Sequence, residues 1–277
     1  MLKNQIVKRS LMLFMAAIVL LSAGGCSEAL SYYFYGMGMR SYAKQDYKQA
    51  FKFFKASADR GDGRGQYAAA EMLNMGEGTE KNFTAAAAYY EKAIANDNTP
   101  ADFKLFSKCK LGLLYLTEES VRNSRRGERY LTEAADNDDY IYAQLSLGIL
   151  YYQGIGTDKD FDKAFVWISK AANAKIEPGC ETEKERTFCR AKARFLLGNM
   201  YLQGQGTSKA PKKAFKCFQK SADDGNKEAE AMLGYMMVCG EGTVKDRAVG
   251  MHMLQKLADK DNPKAKELLE IIKKKNL

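Results

Sequence analysis

The chain has 277 residues, 46% of them hydrophobic and 28% charged, with four prolines and one tryptophan. That is an ordinary globular composition, long enough for one large or two modest domains. The formal net charge is +9, but Lys3, Lys8 and Arg9 supply three of those charges ahead of the first apolar run, and the remainder is too thinly spread for the basic stripe of a nucleic-acid binder.

Residues 1–25 read as an export signal rather than as part of the fold. Lys3, Lys8 and Arg9 form a positive n-region, Leu11 to Leu21 is an unbroken apolar run, and Ser22-Ala23-Gly24-Gly25 follows. The run, about eleven residues, is too short for a finished transmembrane helix but has the length of a signal-peptide core. Ala23-Gly24-Gly25-Cys26 resembles a lipobox, which implies diacylglyceryl transfer to the Cys26 thiol and cleavage before it. Ala23 departs from the leucine commonest at that position. If the host is Gram-negative, Ser27 resembles the sorting pattern for the outer membrane, which implies a lipid-anchored place in the cell envelope, facing the periplasm. The alternative is an ordinary secretory signal that leaves Cys26 unmodified. Residues 26–30 are expected to form a short tether, roughly 15 Å when extended. Tyr32-Tyr33-Phe34-Tyr35 then opens the first helical pattern, either as a bulky cover for the exposed end of the fold or as a contact surface beside the membrane.

From there the chain repeats itself. Gln144–Thr157, Arg194–Thr207 and Glu230–Thr243 align residue for residue, each ending in a glycine, one residue, a second glycine and a threonine. Ala164-Phe165-Val166-Trp167 through Ala172 returns as Ala214-Phe215-Lys216-Cys217 through Ala222. Gly204 and Gly240 are 36 residues apart, while Gly154 and Gly204 are 50 apart because of an insertion at 174–190. Weaker units surround Gly76-Glu77-Gly78 and Leu111-Gly112, and a degenerate first unit runs from Tyr35 to Phe54, six in all.

Apolar residues recur at helical spacing in both halves of each unit, so each is predicted to be a pair of amphipathic helices. A glycine within the first helix (Gly112, Gly148, Gly198, Gly234) costs about 1 kcal/mol against alanine and implies close passage of the second helix. The later Gly-x-Gly allows a left-handed exit from the first helix. Thr157 to Asp160 has the spacing of a capping start for the second. No hairpin can bury its own apolar face alone, so stacking must create the core.

Leu-Gly-x-x-Tyr-x-x-Gly-x-Gly-Thr, with an Ala-x-x-Trp tail ending in Lys-Ala-Ala, resembles the Sel1-like repeat, a relative of the tetratricopeptide repeat. The resemblance covers nearly all of residues 31–261. It implies an all-α, right-handed solenoid of about six hairpins, with a concave face lined by the first helix of each unit and a role in assembling other proteins. Lys108, Gln144, Arg194 and Asn199 are then the candidate groove residues. Residues 262–277 follow as a capping helix, with Lys273-Lys274-Lys275 as a solvated basic tail.

Export would place the remaining cysteines where disulfides form. Cys180 and Cys189 flank a stretch of the insertion and are the best pairing. Cys217 and Cys239 form a possible second pair or remain buried thiols, and Cys109 reads as a small core residue. His252 is the only histidine, which leaves a His-ligated metal site or a serine triad without support. Gly61-Asp62-Gly63-Arg64-Gly65 has the donors to cradle an anion, but an inter-repeat turn is the favoured reading. The expected function is therefore non-enzymatic and cofactor-free. The leading reading is a membrane-anchored scaffold holding a protein or peptide in its groove, in envelope assembly, secretion or host interaction. The alternative is a binder of peptidoglycan fragments or β-lactams.

Overall fold

A computed structural model describes residues 26–138, 140–176 and 182–275. Every regular element among them is helical. The chain divides after Asn123 into two compact units. The first holds α1 (Cys26–Ala43), α2 (Tyr47–Ala58), α3 (Gly63–Met75), α4 (Phe83–Ala95), α5 (Ala101–Thr117) and a 3-10 turn at Glu119–Val121. The second holds α6 (Ser124–Ala135), α7 (Ile141–Gln153), α8 (Phe161–Ala172), α9 (Glu183–Gln203), α10 (Pro211–Asp223), α11 (Lys227–Cys239), α12 (Arg247–Ala258) and α13 (Pro263–Lys275). The expected tether at 26–30 is the first turn of α1, and the basic tail at 273–275 is the last turn of α13, where lysines complement the helix dipole.

Helices pair as hairpins, α1 with α2, α3 with α4, α7 with α8, α9 with α10 and α11 with α12, and each pair packs on the next within its unit. The glycines inside the first helices explain how closely the partners approach. A Cβ on Gly148 would lie 2.6 Å from Ile168, and one on Gly198 would lie 2.6 Å from Phe218. Gly38, unnoticed in the sequence, does the same job in the first unit, where a Cβ would lie 2.5 Å from Phe54.

Second helices begin on a side-chain cap. Asp46, Asn82, Asp160 and Asp246 each accept the backbone N–H three residues on, at 2.9–3.1 Å, which satisfies an otherwise orphaned donor. In the fourth unit the cap is therefore Asp160 and not Thr157, whose hydroxyl donates instead to the carbonyl of Asp158. The α10 helix has no side-chain cap and starts with Pro211, whose missing N–H costs nothing there.

The two glycines of Gly-x-Gly do different work. The first (Gly76, Gly154, Gly204, Gly240) is the left-handed C-cap, with φ between 71° and 76°. The second reaches the neighbouring repeat. A Cβ on Gly78, Gly206 or Gly242 would collide with the carbonyl of Tyr47, Phe161 or Pro211, the first residue of the preceding unit's second helix. The loop is thus a stacking contact as well as an exit. Where Gly-x-Gly is missing after α5, the 3-10 turn packs on α4 in its place.

A tyrosine–carboxylate link also recurs between successive repeats. The Tyr115 hydroxyl of α5 donates to Glu91 of α4 at 2.7 Å, and the Tyr151 hydroxyl of α7 donates to Glu128 of α6. Within the second repeat's own hairpin, Tyr90 donates to Glu71, which also faces Lys110 at 3.2 Å. Burial, aided by these carboxylates, raises the Tyr90 and Tyr151 phenols well above their ordinary values.

Candidate functional site

In the N-terminal unit the first helices fill the space between them with their own aromatic rings. Tyr35 of α1 packs edge-on against Phe103 of α5, and Tyr67 of α3 contacts Phe103 and Phe106. Arg64 is absorbed as well. Its guanidinium forms a two-point pair with Asp62 at 2.9 and 3.1 Å and covers the rings of Tyr32 and Tyr35 at 4.0 and 4.7 Å. The Gly61–Gly65 segment therefore offers no anion cradle, because the Asp62 carboxylate already takes the Arg64 backbone N–H and side chain.

A cleft runs along α9, past the α10–α11 turn and α11, to α13, as two adjoining cavities of about 1050 and 610 Å³ that share Phe195, Glu228 and Pro263. Three helical stripes line it. Phe188, Lys192, Phe195, Asn199 and Leu202 come from α9; Glu228, Met232 and Tyr235 from α11; and Lys264, Glu267, Ile271 and Lys275 from α13. Their spacing of three and four residues is what puts each stripe on one face. Phe188 is 69% exposed at the mouth, in a helix that is two turns longer than its counterparts α7 and α11. Tyr152 of α7 closes one end and donates to Gln205 at 2.8 Å.

One edge of the cleft is held by charge. Asp224, in the α10–α11 turn, receives Arg190 at 2.7 and 3.1 Å and Arg194 at 2.6 Å. Arg194 also donates to the carbonyls of Ala172 and Lys220, so one guanidinium ties α8, α9 and α10 together. Burial pulls its pKa down, against the pull of Asp224. On the opposite wall, burial and the thiol of Cys239 push the Tyr235 phenol up to about 12, so it faces the cleft as a neutral donor.

Of the four groove candidates, Asn199 alone lines this cleft. Gln144 is fully buried, and its amide donates to the carbonyl of Asn137 at 3.0 Å, holding the α6–α7 turn. Arg194 is spent in the clamp just described. Lys108 lies half-buried on α5 in the other unit. Phe188 and Lys192 fall in or beside the region taken from the sequence as an insertion loop, although residues 183–190 continue α9. Cys189 is buried within that helix, and its proposed partner Cys180 lies outside the described residues. Cys217 and Cys239 are free thiols. His252 is exposed on α12. Among the described residues no group of three His, Cys, Asp or Glu is placed to hold a metal ion, and no helix is long and apolar enough to cross a membrane. The export segment and the side chain of Cys26 lie outside the described residues.

Paired helices in a repeating stack, with a lined cleft, define a helical-repeat protein. The Sel1 repeat pattern matches residues 28–62, 63–98, 106–139, 141–175, 191–226 and 227–270, and the chain belongs to the Sel1 repeat family. A solved Sel1 repeat protein from Oxalobacter formigenes has the same fold over 86% of this chain and 87% of its own, with 23% identity and a TM-score of 0.63. DAP3-binding cell death enhancer 1 of Mus musculus is 27% identical over 199 residues, and the Rattus norvegicus protein of that name is 28% identical over the same length. The match takes 60% of this chain but spans only 38% of each of those relatives. Sel1 repeat proteins are generally scaffolds for protein–protein interaction and typically non-enzymatic.

Proposed function

We propose that this chain is an exported, lipid-anchored scaffold that holds an extended segment of a protein partner in the cleft between α9, α11 and α13. The observation that carries the reading is the composition of that cleft. Phe188, Phe195, Met232, Tyr235 and Ile271 form an apolar floor accessible from outside, and Lys192, Asn199, Glu228 and Lys264 surround it with polar groups. A peptide binds such a surface by inserting a few side chains between the rings while the polar rim exchanges its water for hydrogen bonds. That a curated relative is named for a protein it binds supports a protein ligand.

The anchor rests on the positive n-region, the apolar run and Ala23-Gly24-Gly25-Cys26. With it the scaffold would work at an envelope membrane, in assembly, secretion or host contact. The same reading pairs Cys180 with Cys189 in the oxidising compartment. Crosslinking and affinity purification of the full chain should return one stoichiometric protein partner, and Phe188→Ala with Tyr235→Ala should lose it while keeping the wild-type circular dichroism. Saturable binding of muropeptides with no protein partner would overturn the reading in favour of a cell-wall ligand.

A further inference from the structure

In every later repeat, the first helix carries two positions that face the preceding unit. Counting from the helical glycine, or Ala70 where alanine replaces it, the position five residues earlier holds Gly65, Ser107, Ala143, Ala193 or Ala229, all buried. The position two residues later holds Met72, Leu114, Leu150, Met200 or Met236, also buried. The geometry at Gly65 shows why the first must be small, since a Cβ there would lie 2.6 Å from Ser57 and 2.8 Å from the backbone of Ala58 in the preceding helix.

The first repeat breaks both rules. Counting from Gly38, the small position is Tyr33, 57% exposed, and the apolar position is Arg40, also exposed. Met39, 48% exposed, shares that face of α1, and Tyr32, 59% exposed, borders it with Arg64 over its ring; the space above Gly36 is open. A tyrosine where alanine is needed bars another Sel1 helix from docking, so this face is not built for a further repeat or for end-to-end stacking of a second copy. Nor is it a polar end cap of the kind a repeat protein needs in water. The α13 helix shows what this chain uses for that purpose, with Lys266, Glu267, Glu270, Lys273 and Lys274 all exposed. Tyrosine with an occasional arginine suits a lipid–water boundary, where ring bodies enter the acyl region and hydroxyl and guanidinium groups remain among the headgroups.

We infer that the outer face of α1, through Tyr32, Tyr33, Met39 and Arg40, lies against the surface of a lipid bilayer and fixes how the N-terminal unit is presented. The helix starts at Cys26, immediately after the apolar run, so a lipid on that residue would enter the bilayer beside these rings; this part of the inference rests on the anchor proposed above. Aromatic contact then adds a second attachment to the lipid chains and fixes an orientation that lipid on Cys26 alone would leave free.

The test uses the full chain, as exported, in vesicles of phosphatidylethanolamine and phosphatidylglycerol containing lipid brominated high on its acyl chains. Trp167→Phe removes the native tryptophan, and Tyr33→Trp or Thr117→Trp supplies a single probe within the N-terminal unit. The expected result is loss of most of the emission at position 33 with little loss at 117. Equal quenching at both positions, or none at 33, would overturn the inference. So would a blue shift at 33 that depends on protein concentration without vesicles, because it would identify a second copy as the occupant. Intact mass of the N-terminal peptide separates the two ideas: an unmodified Cys26 removes the anchor, while quenching at 33 by added vesicles still supports the face.

Discussion

Gly250 in α12 passes so close to the carbonyl oxygen of Gly234 in α11 that no side-chain carbon fits between them, and in the other direction a Cβ on Gly234 would lie 3.0 Å from the Gly250 oxygen. Each glycine removes the obstacle to the other. Helix propensity favours alanine over glycine by about 1 kcal/mol, whereas forcing a methyl group against fixed backbone costs about 1–3 kcal/mol or more. The obstacle at Gly250 is backbone, which cannot rotate away. Gly250→Ala should therefore lower the melting temperature, while Gly36→Ala, with open space above it, should raise it slightly. Thermal unfolding followed by circular dichroism distinguishes the signs, and a Gly250→Ala protein as stable as wild type would refute the close-packing account.

The clamp at Asp224 predicts a loss that its neighbours do not share. Asn at this position keeps the shape but leaves Arg190 and Arg194, both mostly buried, without their negative partner. Breaking such a pair from one side costs about 3–5 kcal/mol when fully buried, and about 2 kcal/mol is expected here because both guanidinium groups keep some contact with water. Asp223→Asn, one residue away and exposed, should be neutral. Urea denaturation of the two variants gives the comparison directly.

Alkaline pH should unfold the protein partly through Tyr90 and Tyr151. Both phenols are raised in the folded state above an unfolded value near 10. Stabilisation from these groups is complete below that value and is lost as pH rises past it, because the unfolded chain releases the protons first. Tyrosinate absorbance should show these two rings ionising only as the helices melt. Tyr151→Phe should cost about 1 kcal/mol at neutral pH, where Glu128 loses its donor, yet weaken the dependence on alkali. A variant with unchanged alkaline behaviour would show that this ring does not contribute.

Cys217 should react slowly with iodoacetamide at pH 8. Burial raises this thiol, against the nearby cations Lys220 and Arg194, and the thiolate is the reactive form. Labelling should accelerate with denaturant in step with unfolding. Rapid modification of Cys217 in the native protein would contradict the packing of α10.

The repeats were legible because each helical glycine, each capping Asp or Asn and each Gly-x-Gly answers a backbone demand that few residues can meet. The cleft was not, because its members answer no such demand. Asn199 could be chosen from its place on a first helix, but Gln144 has the same credentials and turns inward to satisfy the carbonyl of Asn137. Arg194 likewise resembles a groove cation until Asp224 arrives from 30 residues away. Phe188 was hidden because the insertion has no repeat to align with, so its helical continuation left no periodic trace. Gly38 was obscured by length: only 16 residues separate it from Phe54, where 20 separate Gly148 from Ile168 and Gly198 from Phe218.

The stretch missing there is the one that carries the second glycine of each later loop. Gly78, Gly206 and Gly242 rest on the start of the helix before last, and the short turn between α1 and α2 lacks the part that makes this contact. Elsewhere the loop acts as a ruler laid between neighbours, and a residue added to it would disturb two units at once. Duplications of this gene segment should therefore persist mainly as whole copies of about 36 residues, with odd-length growth confined to the junctions between hairpins and the helix starts beside them, where 174–190 is found.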